Sequence, residues 1–131
     1  MTVRYSVLLS LLLCPWATSA ITQDPMLQMI PVRTPELTPG KVVSRTLPQT
    51  VSTPLFIVGD DALSHRWLKE KQTYLQRIHA TGIVVQVANA SGWARIKQYS
   101  LPMYPVQGRD FAKAFHLQHY PALIERNQIK Q

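Results

Sequence analysis

The chain has 131 residues, enough for one domain, and a formal net charge of +7. Its single cysteine, Cys14, excludes an internal disulfide, and its five glycines are too scattered to form a phosphate-binding loop. The basic residues do not cluster with interleaved aromatics, so direct nucleic-acid binding is not expected, and most of them read as dispersed solubilising charges.

The N-terminus carries Arg4, a short apolar run from Val7 to Leu13, and small residues at Ala17-Thr18-Ser19-Ala20. This order is that of a secretory signal peptide over residues 1–20. The run is too short for a membrane span, which needs about 20 apolar residues. A lipid anchor on Cys14 is the weaker reading, because Leu13 stands where a small residue is expected. Cleavage after Ala20 leaves no cysteine and lowers the charge to +6. The exported chain is then stabilised by an ordinary core.

Residues 21–52 hold Pro25, Pro31, Pro35, Pro39 and Pro48, and Pro54 follows. Each proline removes a backbone donor and biases its predecessor towards extended conformations. The stretch is expected to be a largely extended arm, either a spacer or a partner-docking segment. The apolar cluster Met26–Ile30 is a candidate to pack on the domain or to bind a partner.

The compact unit is expected over residues 53–131. Leu55–Val58 is a buried strand by its continuous apolar character, and Gly59-Asp60-Asp61 ends it. A long helix follows, with Asp60 or Asp61 as its cap, Leu63, Trp67, Tyr74 and Ile78 on one face, and Gly82 as its stop. Ile83–Ala88 reads as a parallel strand buried on both faces, completing a βαβ unit. Ser91 is expected to cap a short helix over Trp93–Tyr99. Leu101–Val106 is irregular or extended, because its two prolines rule out a helix and a central strand. Gly108–Leu117 is the next helix, with Phe111, Ala114 and Phe115 inward. Ala122–Glu125 and Ile129–Gln131 then pair antiparallel across a turn.

Tyr120-Pro121 sits at the joint between that helix and strand, where a cis X-Pro bond is expected. The order of helix, Tyr-Pro joint and strand resembles the second half of a thioredoxin-like domain. In that family the residue before the proline exposes a backbone edge that receives an extended peptide by strand addition. The family's Cys-x-x-Cys motif is missing, since Gly59-Asp60-Asp61-Ala62 opens the first helix here, and its C-terminal helix is not expected within residues 53–131. Disulfide exchange is therefore not expected.

A closer resemblance is to small exported proteins of integrating conjugative elements, which are similar in turn to the F-type pilus assembly protein TrbC. It is carried by the signal peptide, the Pro-rich arm, Leu55-Phe-Ile-Val-Gly-Asp60, Val106-Gln-Gly-Arg-Asp-Phe-Ala112 and Leu117-Gln-His-Tyr-Pro-Ala-Leu-Ile124. It covers residues 53–131 and is most specific over Leu117–Ile124. It implies a periplasmic, non-enzymatic module of a conjugative, type IV secretion-like apparatus, without a cofactor. Its partners would be other proteins of that apparatus. The partner-binding set is His119, Tyr120 and Pro121, joined by Asp60 and Trp67 from the strand–helix junction. Peripheral contact with membrane or peptidoglycan is a further expectation from the charge.

The rival chemistry is thinner. His116 and His119 are only two ligands, where zinc normally needs three or four, so no metal is expected. Asp60 and Asp61 are neighbours that point apart, which suits capping better than paired acid–base work. Ser64-His65 is not by itself a triad. Trp67 and Trp93 fall on apolar helix faces and suit a core. The alternative functions are a periplasmic enzyme using His65, Asp60 or His119, and a cell-wall adaptor held by charge.

Overall fold

The apolar runs pair into one mixed sheet. A computed structural model describes residues 24–131; the expected signal peptide and Cys14 lie outside them. The strands are β1 (Thr38–Pro39), β2 (Arg45–Thr46), β3 (Leu55–Gly59), β4 (Thr81–Gln86), β5 (Met103–Pro105), β6 (His119–Tyr120), β7 (Ala122–Glu125) and β8 (Gln128–Lys130). The helices are α1 (Ala62–Arg77), α2 (Ala90–Lys97) and α3 (Arg109–Phe115), preceded by a 3-10 turn at Pro25–Met29. The main sheet has six strands in the order β2-β8-β7-β3-β4-β5, parallel across β3, β4 and β5 and antiparallel across β3, β7, β8 and β2. A separate parallel pair joins β1 to β6. The protein is thus a mixed α/β domain. No helix among the described residues is long and apolar enough to cross a membrane.

Alternation along the strands splits the core in two. Phe56, Val58, Val84 and Leu123 face α1 and α2, where Trp67, Leu68, Leu75, Trp93 and Ile96 close over them. Ile57, Ile83, Val85, Ala122, Ile124 and Ile129 face the other way, towards Ala112 and Phe115 of α3.

The second face is finished by the Pro-rich stretch. Residues 24–52 carry little regular structure, and they are packed on the domain: Val32 is buried with the residues beneath α1 and α2, and Leu37 and Leu47 with those beneath α3. Thr34 is also fully buried. Its hydroxyl donates to the Val85 carbonyl at 2.7 Å and accepts from the Gly108 amide at 2.9 Å. At the other end of α3, Arg45 donates to the carbonyls of Phe115 and His116, and Gln49 donates to that of Ala114. A short helix leaves its last carbonyls without internal partners, and these side chains satisfy them. An ion pair of 2.8 Å between Arg109 and Glu36 adds a surface tie.

Several local expectations are corrected. Asn89, and not Ser91, caps α2, through its side chain to the Gly92 amide. Gly82 does not stop α1, which ends at Arg77, with His79 in the left-handed region at φ 53°. Gly82 lies instead inside β4, where a Cβ would stand 2.4 Å from the Phe56 ring. Close packing on a neighbouring side chain, not a turn, requires the glycine there. In α3 the buried alanine is Ala112; Ala114 is exposed. Segment 101–106, by contrast, is extended and not central, as expected: it supplies β5, an edge strand, a position that tolerates its prolines.

Candidate functional site

The site is built at the β6 edge, next to the turn from β3 into α1. The His116 residue ends α3 in the left-handed conformation, and the chain then runs through β6 to a cis Tyr120–Pro121 bond. Tyr120 is 2% exposed. Its ring packs on Gly59, where a Cβ would meet it at 2.8 Å. Burial, with the nearby Asp61 charge, pushes the Tyr120 phenol up to about 12. Pro121 is buried as well. The half-buried His119 presents its imidazole at the edge.

That edge is filled by the protein's own chain. Thr38 and Pro39 lie in parallel register with His119 and Tyr120. The Thr38 amide donates to the Gln118 carbonyl at 3.1 Å, and the Gly40 amide donates to the Tyr120 carbonyl at 3.0 Å. Thr38 Oγ1 and His119 Nδ1 are 3.0 Å apart. Gly40 is needed here, since a Cβ would come within 2.8 Å of the His119 ring. Beside the pair lies a shallow concavity of about 230 Å³, lined by Lys41, Val42, Val43, Arg45 and residues 116–119. Val43 on its rim is 70% exposed.

A polar cluster occupies the other side of the β3–α1 turn. Asp61 caps α1, accepting from the Ser64 amide and hydroxyl at 3.0 and 2.7 Å, and the Ser64 hydroxyl accepts from the Gly59 amide at 3.0 Å. Asp60 does not cap. One of its oxygens is 2.6 Å from His65 Nε2, and the other accepts from Arg95 at 2.8 Å. His65 Nδ1 is 2.8 Å from the Tyr99 hydroxyl. Burial works to raise the Asp60 carboxyl, but the hydrogen bonds from Arg95 and His65 outweigh it and hold the group below the usual carboxylate range. Both imidazole nitrogens are thereby engaged, and the cluster ties α1 to α2. Gly92 lets the carboxylate approach α2, for a Cβ would stand 2.4 Å from Asp60 Oδ2.

The five residues expected to meet a partner are therefore not one surface. His119, Tyr120 and Pro121 adjoin the β3–α1 turn, but the Tyr120 and Pro121 side chains are core. Asp60 is turned into the His65–Arg95 cluster. Trp67 is 5% exposed and packs against Phe56, with ring centroids 6.1 Å apart. Sequence reasoning missed Thr38, Gly40, Arg95 and Tyr99. The spacing of Arg95 and Tyr99, four residues apart, was a signal for a shared face; nothing local to Thr38 and Gly40 marks their pairing. Among the described residues, no three His, Cys, Asp or Glu side chains gather so as to hold a metal ion.

Comparison with known proteins gives one family. Neither the curated proteins nor the solved structures contain a match. A family model described as "Protein of unknown function (DUF2859)" matches residues 14–129, spanning both the Pro-rich stretch and the sheet. The chain belongs to the DUF2859 family.

Proposed function

We infer that the protein is a periplasmic, non-catalytic binding module of a conjugative, type IV secretion-like DNA transfer apparatus, with a thioredoxin-like fold adapted to hold protein segments. One observation carries the binding part of this reading: the β6 edge already accepts an extended segment, Thr38–Gly40, through main-chain bonds. Strand addition of this kind is a general mode of peptide recognition. A partner strand would take the same edge by releasing β1. The released stretch is short and surface-lying, while Leu37 and Leu47 on either side keep the rest of the segment anchored in the core. Local openings of such exposed pairs cost less than global unfolding. The non-catalytic part rests on the resemblance, whose Cys-x-x-Cys pair is replaced here by Gly59-Asp60-Asp61-Ala62. The place in a transfer apparatus rests on the resemblance carried by Leu117–Ile124 and by the strand end Leu55–Asp60.

The test is a clean deletion of the gene in a donor strain. Transfer frequency is expected to collapse and to return on complementation with the intact gene. Undiminished transfer from the deletion strain would refute the reading.

A further inference from the structure

The hollow beside the β1–β6 pair differs from the rest of the surface. It lies between two stretches of backbone, residues 41–45 running into β2 and residues 116–119 running from α3 into β6, and measures about 230 Å³. Both stretches are held in place. Arg45 is paired to Ile129 of β8 and donates to the carbonyls of Phe115 and His116, and His119 is paired to Thr38. The hollow therefore exists in the folded chain with β1 seated. Part of its lining is apolar. Val42 is half-buried, and Val43, at 70% exposed, is the most exposed large apolar side chain among the described residues.

Its charge is one-sided. Lys41, Arg45, His116 and His119 line it, and none of the chain's seven Asp and Glu residues does. Those carboxylates are engaged elsewhere. Asp24 pairs with Lys97, Glu36 with Arg109, Asp60 with His65 and Arg95, and Glu125 with Lys130, while Asp61 caps α1. Of the two that remain, Glu70 is on α1, over the opposite face of the sheet, and Asp110 is in the first turn of α3, at the far end from His116. Among the described residues Lys41 forms no ion pair, and His119 Nε2 and the His116 imidazole have no hydrogen-bond partner. A helix C-terminus normally repels an anion through its bare carbonyls, but Arg45 and Gln49 donate to the last carbonyls of α3 and remove that obstacle.

These features select the occupant. The volume lies below the range of about 300–1,000 Å³ usual for small-molecule sites, and it suits one or two side chains. A carboxylate complements the unpaired cation and the imidazoles, and a peptide brings an apolar neighbour for Val43 with it. A nucleic-acid phosphate would leave Val42 and Val43 uncovered, and no Phe, Tyr or Trp lines the hollow for a base to stack on. A lipid surface does not enter a concavity of this size. We propose that the hollow between residues 41–45 and 116–119 recognises an aspartate or glutamate side chain in a short segment of a partner protein, with the carboxylate towards Lys41, His116 and His119 and an adjacent apolar side chain on Val43. This rests on the reading of the β6 edge as a protein-binding site, but not on the release of β1.

The experiment uses the full chain and three peptides of about eight residues, blocked at both ends so that no terminal charge contributes. They share a framework of valine and serine and differ only at two central positions, which are aspartate, asparagine or lysine. Binding is followed by amide shifts at Val43 and Leu117, and the state of β1 by hydrogen exchange of the Thr38 and Gly40 amides. The aspartate peptide is expected to bind, to weaken as salt rises, and to lose about tenfold in affinity with Lys41→Glu. That variant is expected to take the lysine peptide instead. Val43→Ser is expected to weaken the aspartate peptide by about threefold, whereas Lys69→Glu, on α1, leaves it within about twofold. Unchanged denaturation midpoints would show that the variants fold. The proposal is overturned if the aspartate and asparagine peptides bind equally, if Lys41→Glu leaves the affinity unaltered, or if no peptide binds at millimolar concentration. It is also overturned if oligothymidylate, and not the peptide, shifts Val43 and Leu117, or if the chain dimerises by itself through this face. Equal binding of all three peptides with loss of Thr38 and Gly40 protection would overturn it while upholding strand addition at the β6 edge. Undiminished transfer from the deletion strain, with charge-dependent peptide binding intact, would refute the place in a transfer apparatus and leave the acid-binding hollow standing.

Discussion

Thr38 and His119 are 81 residues apart in sequence, yet Thr38 Oγ1 lies 3.0 Å from His119 Nδ1. Their backbones are paired in parallel register. The residue just before Tyr120-Pro121 is thus already engaged by a strand, and that strand comes from the segment that composition alone assigns to an arm.

Tyr120→Ala separates two views of the site. A surface tyrosine would lose partner capture alone. The buried ring on Gly59 makes the substitution a core truncation, with an expected loss of about 3–5 kcal/mol in stability, as for other large aromatic-to-alanine changes. Urea denaturation of the purified protein checks this, and a midpoint equal to that of the unaltered chain would contradict it.

The same reasoning applies to Leu37. A spacer residue could be cut to alanine at no cost. Leu37 is 2% exposed and packs in the core beneath α3, so Leu37→Ala is expected to destabilise the whole domain by about 2–5 kcal/mol. Thermal unfolding monitored by circular dichroism would detect it.

Gly82→Ala tests the sheet beneath α1. The new methyl would meet Phe56 at 2.4 Å and the Met103 side chain at 2.6 Å. Over-packing of this kind typically costs about 1–3 kcal/mol. The expected result is a lower denaturation midpoint with an unchanged slope; a neutral substitution would contradict the close packing of Gly82 on Phe56 and Met103.

Asp60 gives the acid side of the stability profile its shape. Its folded carboxyl is held below the ordinary carboxylate range, so the unfolded chain binds a proton first as pH falls. The stability it contributes is fully present above the unfolded value near 4 and disappears as pH drops through the folded value. Asp60→Asn is therefore expected to be less stable than the unaltered chain at neutral pH, with the gap closing on acidification. Denaturation series across pH would show the convergence; a gap independent of pH would contradict it.

The sheet was legible because its central strands are continuous apolar runs. Leu55–Val58 and Ile83–Val87 need no partner information to read as buried. The joint at Tyr120-Pro121 was legible from its helix–proline–strand order. The role of Gly82 was not, because a glycine after a helix and a glycine under an aromatic ring look the same along the chain. Nor was the docking of residues 24–52. Prolines announce extended backbone, but the partners of that backbone are distant: Val85 for Thr34, Phe115 for Arg45 and Tyr120 for Gly40. The Asp60–His65–Arg95–Tyr99 cluster was half legible, since the first two residues lie near each other and the others arrive only when α2 packs on α1.

The central claim is that Thr38–Gly40 fill the β6 edge and can leave it. Hydrogen exchange of the Thr38 and Gly40 amides, compared with the amides of β4, tests it most directly. The expected result is intermediate protection: slower exchange than in an unstructured chain, yet faster than in β4, through local opening. Exchange at the unstructured rate would contradict the pairing, and protection equal to that of β4 would contradict a releasable edge.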